Sequence, residues 1–134
     1  MATPKEGNPL WMLRTFYFVP CDLMYQHMMS HEADFFSDNE RKRDRIAELF
    51  IAYMLYWFAG LFVVAEGWKE LKVREPIIDK MIDQHWDSLR LFRNAVFHFH
   101  STDRKHVQFF SPDKFNWAQR LHHALRDFFA AQDT

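Results

Sequence analysis

Residues 49–65 read LFIAYMLYWFAGLFVVA and carry no charged side chain. Whether this run crosses a membrane or fills a protein core decides the fold. Its length lies at the lower edge of a transmembrane span. Three amphipathic stretches surround it, and each needs an apolar partner. A helix that is apolar on all sides is what the centre of a small bundle requires. The run is therefore read as a buried core helix, with no membrane partner. Tyr53, Tyr56 and Trp57 must then find hydrogen-bond partners or an exposed edge. A second protomer would cover any surplus apolar surface.

Upstream, Ser37-Asp38-Asn39-Glu40 has the spacing of a capping box and predicts the start of the core helix. Its first turns interleave Arg41, Lys42, Arg43 and Arg45 with Glu40, Asp44 and Glu48, the pattern of a solvated, ion-paired face. A first helix is predicted to open at Pro9. Leu10, Leu13, Tyr17, Met24 and Met28 form its apolar stripe, and Pro20 predicts a kink or break. His27 and His31 share a ridge, but no acidic residue nearby completes a recognisable metal site. No metal and no cofactor are expected.

Downstream, Glu66-Gly67-Trp68 ends the run, with Gly67 marking either a helix end or a close approach. Glu75-Pro76 opens a third helix. Its inner-face positions, Ile77, Met81, Gln84 or His85, Leu89, Phe92 and Val96, carry it through to residue 96. Asp79, Asp83 and Asp87 line another ridge of it as a solvated acidic stripe. Ser101 to Lys105 reads as a turn. Ser111-Pro112 caps and opens the last helix. Phe115, Ala118, Leu121, Leu125 and Phe128 give that helix its buried stripe. His122 and His123 are adjacent and point in different directions.

The chemically specific stretch is LRLFRNAVFHFH, Leu89 to His100. Leu89, Phe92, Val96 and Phe99 recur at three- and four-residue steps and define a core face. Asn94 and His98 fall one turn apart on the opposite face, with Arg90 beside them and Arg93 and Phe97 flanking. An outward phenylalanine among polar groups suits a protein interface.

Arg93-Asn94-Ala95-Val96-Phe97-His98 resembles the signature of the HEPN superfamily: an arginine, often a polar residue such as asparagine after it, then a histidine beyond four to six intervening residues. Arg93 and His100 also satisfy that spacing. The acidic-Gly-Trp segment after a long helix is similar as well, so the resemblance spans roughly residues 37–110. It implies a small helical bundle that dimerises with the motifs of two protomers facing each other. It also implies a metal-independent endoribonuclease, of the kind found in toxin–antitoxin or antiphage systems, with an antitoxin-like protein partner. In that reading His98 is general acid or base, Arg93 clamps phosphate and Asn94 orients the imidazole or holds a phosphate oxygen. One motif supplies one histidine, so two protomers supply the pair. Arg90, His100, Arg104 and Lys105 are the candidate RNA contacts. The alternative is a non-catalytic HEPN-like module that binds a nucleotide, a nucleic acid or a protein.

Composition sets the outer bounds. The chain has 134 residues, read as one domain over 1–134. Its 15 Phe and 5 Trp suit a thick core and an interface. The single cysteine, Cys21, excludes an internal disulfide and is read as a small buried hydrophobe. A net charge of −1 argues against strong non-specific nucleic-acid binding, so RNA contact needs a local basic patch or a composite site. The first ten residues lack a secretory pattern, and a cytoplasmic location is expected. The fold class expected is all-α, a bundle of four main helices with a short extra segment after the motif.

Overall fold

The computed structural model describes residues 7–32, 39–97 and 111–132. Among the described residues the chain is helical and no strand occurs. The elements are α1 (Pro9–Leu13), a π-helical turn (Arg14–Phe18), α2 (Val19–Ser30), α3 (Glu40–Glu70), α4 (Pro76–Gln84), α5 (Trp86–Phe97) and α6 (Pro112–Gln132). The all-α expectation holds. His98, His100, Arg104, Lys105 and the segment after the motif lie outside the described residues.

The first helix opens at Pro9, with the Asn8 side chain accepting the Leu10 N–H at 2.9 Å. The π turn precedes Pro20 directly. A proline ring in a helix meets the carbonyl four residues back and offers no N–H. The chain widens here, and the Val19 N–H donates to the Arg14 carbonyl, five residues back. The extra residue moves the apolar stripe. The buried positions are Leu13, Phe18, Cys21, Tyr25 and Met28, and Tyr17 is half exposed to solvent. The expected place of Tyr17 on the buried stripe is thus corrected.

The core helix α3 is 31 residues long, and its length and hydropathy would allow it to cross a membrane. Yet Trp57, Phe58, Leu61, Phe62, Val64, Ala65 and Trp68 are each 1% exposed or less, covered by the chain's own helices. Its cap is not Ser37: the Asn39 side chain accepts the Lys42 N–H at 3.2 Å, so Glu40 is the first helical residue. The expected capping box is corrected by two positions. Gly67 serves close approach, since a Cβ there would lie 2.5 Å from Leu13 Cδ1, and the helix continues past it.

The third helix is two helices. Glu75 caps α4 by accepting the Ile78 N–H at 2.7 Å, as expected. The chain then turns at His85 (φ −131°, ψ 28°) before α5 begins. An uninterrupted helix would offer the Met81 carbonyl to the His85 amide. Here that carbonyl accepts the Trp117 indole N–H at 2.9 Å, and the His85 ring packs edge-on against Trp117. Ser111 caps α6 by accepting the Lys114 N–H, and Ala118, Leu121 and Leu125 are buried as expected. The α6 stripe is wider than expected and includes Trp117, His122 and Phe129. α3 packs against α2 on one side and α5 on another, while α4 packs against α6.

Candidate functional site

Helix α5 buries Leu89 and Phe92 and half-buries Val96, so its core face is the one expected. Arg93 and Asn94 are half-buried at the border of that face, while Arg90, Leu91 and Phe97 are exposed. Arg90 lies 3.9 Å from Asp87, a surface pair worth little. Phe97 is 57% exposed and approaches the half-exposed ring of Tyr56 on α3. The motif's described end is therefore edged by apolar groups that the chain itself leaves uncovered.

Arg93 is the unusual group. Its Nε is buried without a hydrogen-bond partner among the described residues, and its guanidinium carbon sits 4.6 Å above the centre of the Phe62 ring. Among the described residues no carboxylate pairs with it. Glu66 is exposed one turn further along α3 and makes no such pair. A half-buried cation held only by a ring face is incompletely compensated. It suits an anion arriving from outside.

The packed seam between α3 and α5 continues from this point. Phe62 packs on Trp86 with centroids 4.9 Å apart, and Lys69 Nζ lies 4.5 Å above the Trp86 ring. The order Arg93, Phe62, Trp86, Lys69 thus alternates cation, rings and cation. Lys69 also meets Asp83 at 2.6 Å. Asp79 accepts the Trp68 indole N–H at 2.7 Å. Asp83 and Asp87 are solvated as expected, although Asp87 stands on a different helix; the expectation is corrected for Asp79, which anchors Trp68.

A second polar cluster joins α2, α3 and α6 and went unread in the sequence. His122 is fully buried. The Trp57 indole N–H donates to His122 Nδ1 at 3.0 Å. An indole can only donate, so Nδ1 must be unprotonated and Nε2 carries the hydrogen. Nε2 donates it to Asp22 Oδ1 at 2.8 Å. Arg126 meets the same oxygen at 2.6 Å. Gln119 Nε2 donates to the Tyr25 hydroxyl, which also lies 3.3 Å from His123 Nε2.

Burial lowers His122 to about 4, outweighing the hydrogen bond and charge of Asp22. Burial pushes Asp22 up, but hydrogen bonds from Arg126 and His122 and their charges hold it below its ordinary value. Neutral His122 has both nitrogens occupied, so it has no lone pair to offer as a base. Cys21 is buried beside this cluster. Burial, then the Asp22 charge, pushes its thiol up, and Sγ faces the Trp57 carbonyl. It is the packed hydrophobe expected.

His27 and His31 each stack on Tyr53. Among the described residues no group of three or more metal-ligating side chains converges. Arg41, Lys42, Arg43 and Arg45 are exposed on the first turns of α3. Comparison with family models, curated proteins and solved structures gave no match.

Proposed function

We propose that the chain is a HEPN-like, metal-independent endoribonuclease whose site is completed by a second copy of the chain. The observation that carries the reading is Arg93: a half-buried guanidinium on α5 with no carboxylate partner among the described residues. Such a cation has charge and donors to give to a phosphate. Asn94, half-buried next to it, forms no side-chain hydrogen bond among the described residues and is free to orient a ligand or an imidazole. His98, or His100 at the longer spacing, supplies the acid and base, one from each protomer. Exposed Phe97, Tyr56 and Leu91 form the apolar edge against which the second protomer packs. The reading places the protein in the cytoplasm, without cofactor. A toxin–antitoxin or antiphage role with an antitoxin-like partner follows from the resemblance alone.

The test is cleavage of labelled single-stranded RNA in EDTA by wild type, Arg93→Ala, His98→Ala and His100→Ala. Loss of at least about 100-fold in Arg93→Ala and His98→Ala, with His100→Ala active, is the expected result. Loss with His100→Ala alone among the histidines moves the catalytic base by two residues. A wild type that cleaves none of several RNAs overturns the enzyme.

The exposed apolar edge also favours the alternative of a non-catalytic interaction module. In that case Phe97→Asp abolishes self-association or partner binding, and no RNA is cut by any form.

A further inference from the structure

We propose that the turn joining α3 to α4 is a second phosphate-binding station, so that an RNA strand held at Arg93 runs over the seam between α3 and α5 to Lys72 and Arg74. This rests on the ribonuclease reading for the strand's first anchor, and on separate observations for the second.

The seam between α3 and α5 supplies direction. Phe62 and Lys69 stand seven residues apart on α3, as do Trp86 and Arg93 on α5, which is ~10 Å along each axis. The two helices set Arg93 over Phe62 and Lys69 over Trp86. Cations therefore mark both ends of one pair of packed rings, Phe62 buried and Trp86 half-buried. Beyond Lys69 lies a cavity of about 160 Å³, lined by Lys69, Lys72 and Arg74 together with Asp79 and Asp83. Asp79 accepts the Trp68 indole N–H, and the exposed carboxylate of Asp83 is paired with Lys69 at the surface. Lys72 and Arg74 are exposed and form no ion pair among the described residues. The two cations left over face the space that a phosphate would fill.

Lys72 carries the further point. The Val73 N–H donates to the Trp68 carbonyl and the Lys72 N–H to the Lys69 carbonyl, which is the Schellman pattern at a helix end. Lys72 occupies the left-handed position of that motif, with φ 56°. Glycine takes this position without steric cost, whereas a lysine retains strain there. A cation near a helix C-terminus is favourable in itself. Lys69 already meets that need in the last turn, and the dipole gives no reason to forgo glycine at the left-handed residue. A ligand-facing charge does.

The experiment uses the full chain and a fluorescent single-stranded 2′-O-methyl RNA, which lacks the attacking hydroxyl and stays uncut. Anisotropy is read over a series of NaCl concentrations for wild type, Arg93→Ala, Lys72→Gly and Lys72→Gly/Arg74→Gln. The double variant should bind several-fold more weakly, and its slope of log affinity against log salt should shrink by ~1.4, the loss of two single-strand phosphate contacts. Lys72→Gly should weaken binding while raising the thermal midpoint, a combination that damage to the fold would not produce. Unchanged affinity and slope in the double variant, or no binding by wild type, overturns the track. Cleavage of unmodified RNA decides the first reading separately. Binding that depends on Lys72 and Arg74 without any cleavage leaves the track standing and sinks the nuclease. Cleavage with binding indifferent to both residues does the reverse.

Discussion

The cluster of Asp22, Tyr25, Trp57, His122 and Arg126 and the seam of Phe62, Trp86 and Arg93 both mix aromatic rings with charge, yet they are built in opposite ways. In the first, both histidine nitrogens are bonded, the indole has its acceptor, and the carboxylate accepts from His122, Arg126 and Gln26. In the second, Arg93 has a ring beneath it, a buried Nε without a partner among the described residues, and no carboxylate among them. A closed network spends its polar groups on fixing three helices. An open one keeps a charge available. A buried histidine beside an aspartate looks more like a catalytic pair than a lone arginine on a phenylalanine does, but here the histidine is saturated.

That contrast breaks most readily at Asp22. Asp22→Ala strands the buried Nε2–H of His122 and frees Arg126, and should cost about 3 kcal/mol of stability, read from urea unfolding. A cost within about 0.5 kcal/mol would show that the cluster fixes nothing. A change of pH probes the same network with less damage. Folded His122 stays neutral down to about pH 4, while a histidine in the unfolded chain titrates near 6.5. Between those values unfolding takes up a proton, so the stabilisation is complete above about pH 6.5 and declines as pH falls toward 4. Asp22, held low, carries the loss further down, and His85, lowered by burial and by Lys114, acts in the same sense as His122. Unfolding free energies from urea curves should thus fall steadily from neutral pH downward, by up to about 3 kcal/mol in all, and His122→Gln should flatten the profile. The smallest effect belongs to Arg93. Arg93→Met, which keeps the stem over Phe62 and removes the charge, should change stability by less than about 1 kcal/mol while abolishing the RNA cleavage proposed above. A large destabilisation would make Arg93 a structural residue.

The helical class and the helix openings at Pro9, Glu75 and Ser111 were legible because each depends on local cap chemistry and on periodicity. Leu89 and Phe92 as the inner face of α5 were legible for the same reason. The break at His85 was not, because it depends on an indole arriving from Trp117, and residues 76–97 contain no internal glycine or proline to announce it. Asp22 and His122 were illegible for a similar reason: each looks like an ordinary helix residue, and they meet across 100 positions of chain. The only trace was polar pairing at four-residue spacing, Asp22 with Gln26 and His122 with Arg126, on faces that otherwise read as apolar. The place of Arg93 beside the core was predicted only as flanking, and its ring partner Phe62 could not be named from a run in which every residue was apolar.

The π turn at Arg14–Phe18 has a consequence for how the first arm tolerates changes of length. Leu13 is seated against Gly67 at one end, and Tyr25 against Trp57 at the other. The widened turn lets the arm hold one residue more than an unbroken α-helix between those seats, with both ends in place. A one-codon deletion within residues 14–18 should therefore be absorbed as a return to α geometry. The same deletion within α3, which has no such slack, would rotate every later core residue by about 100°.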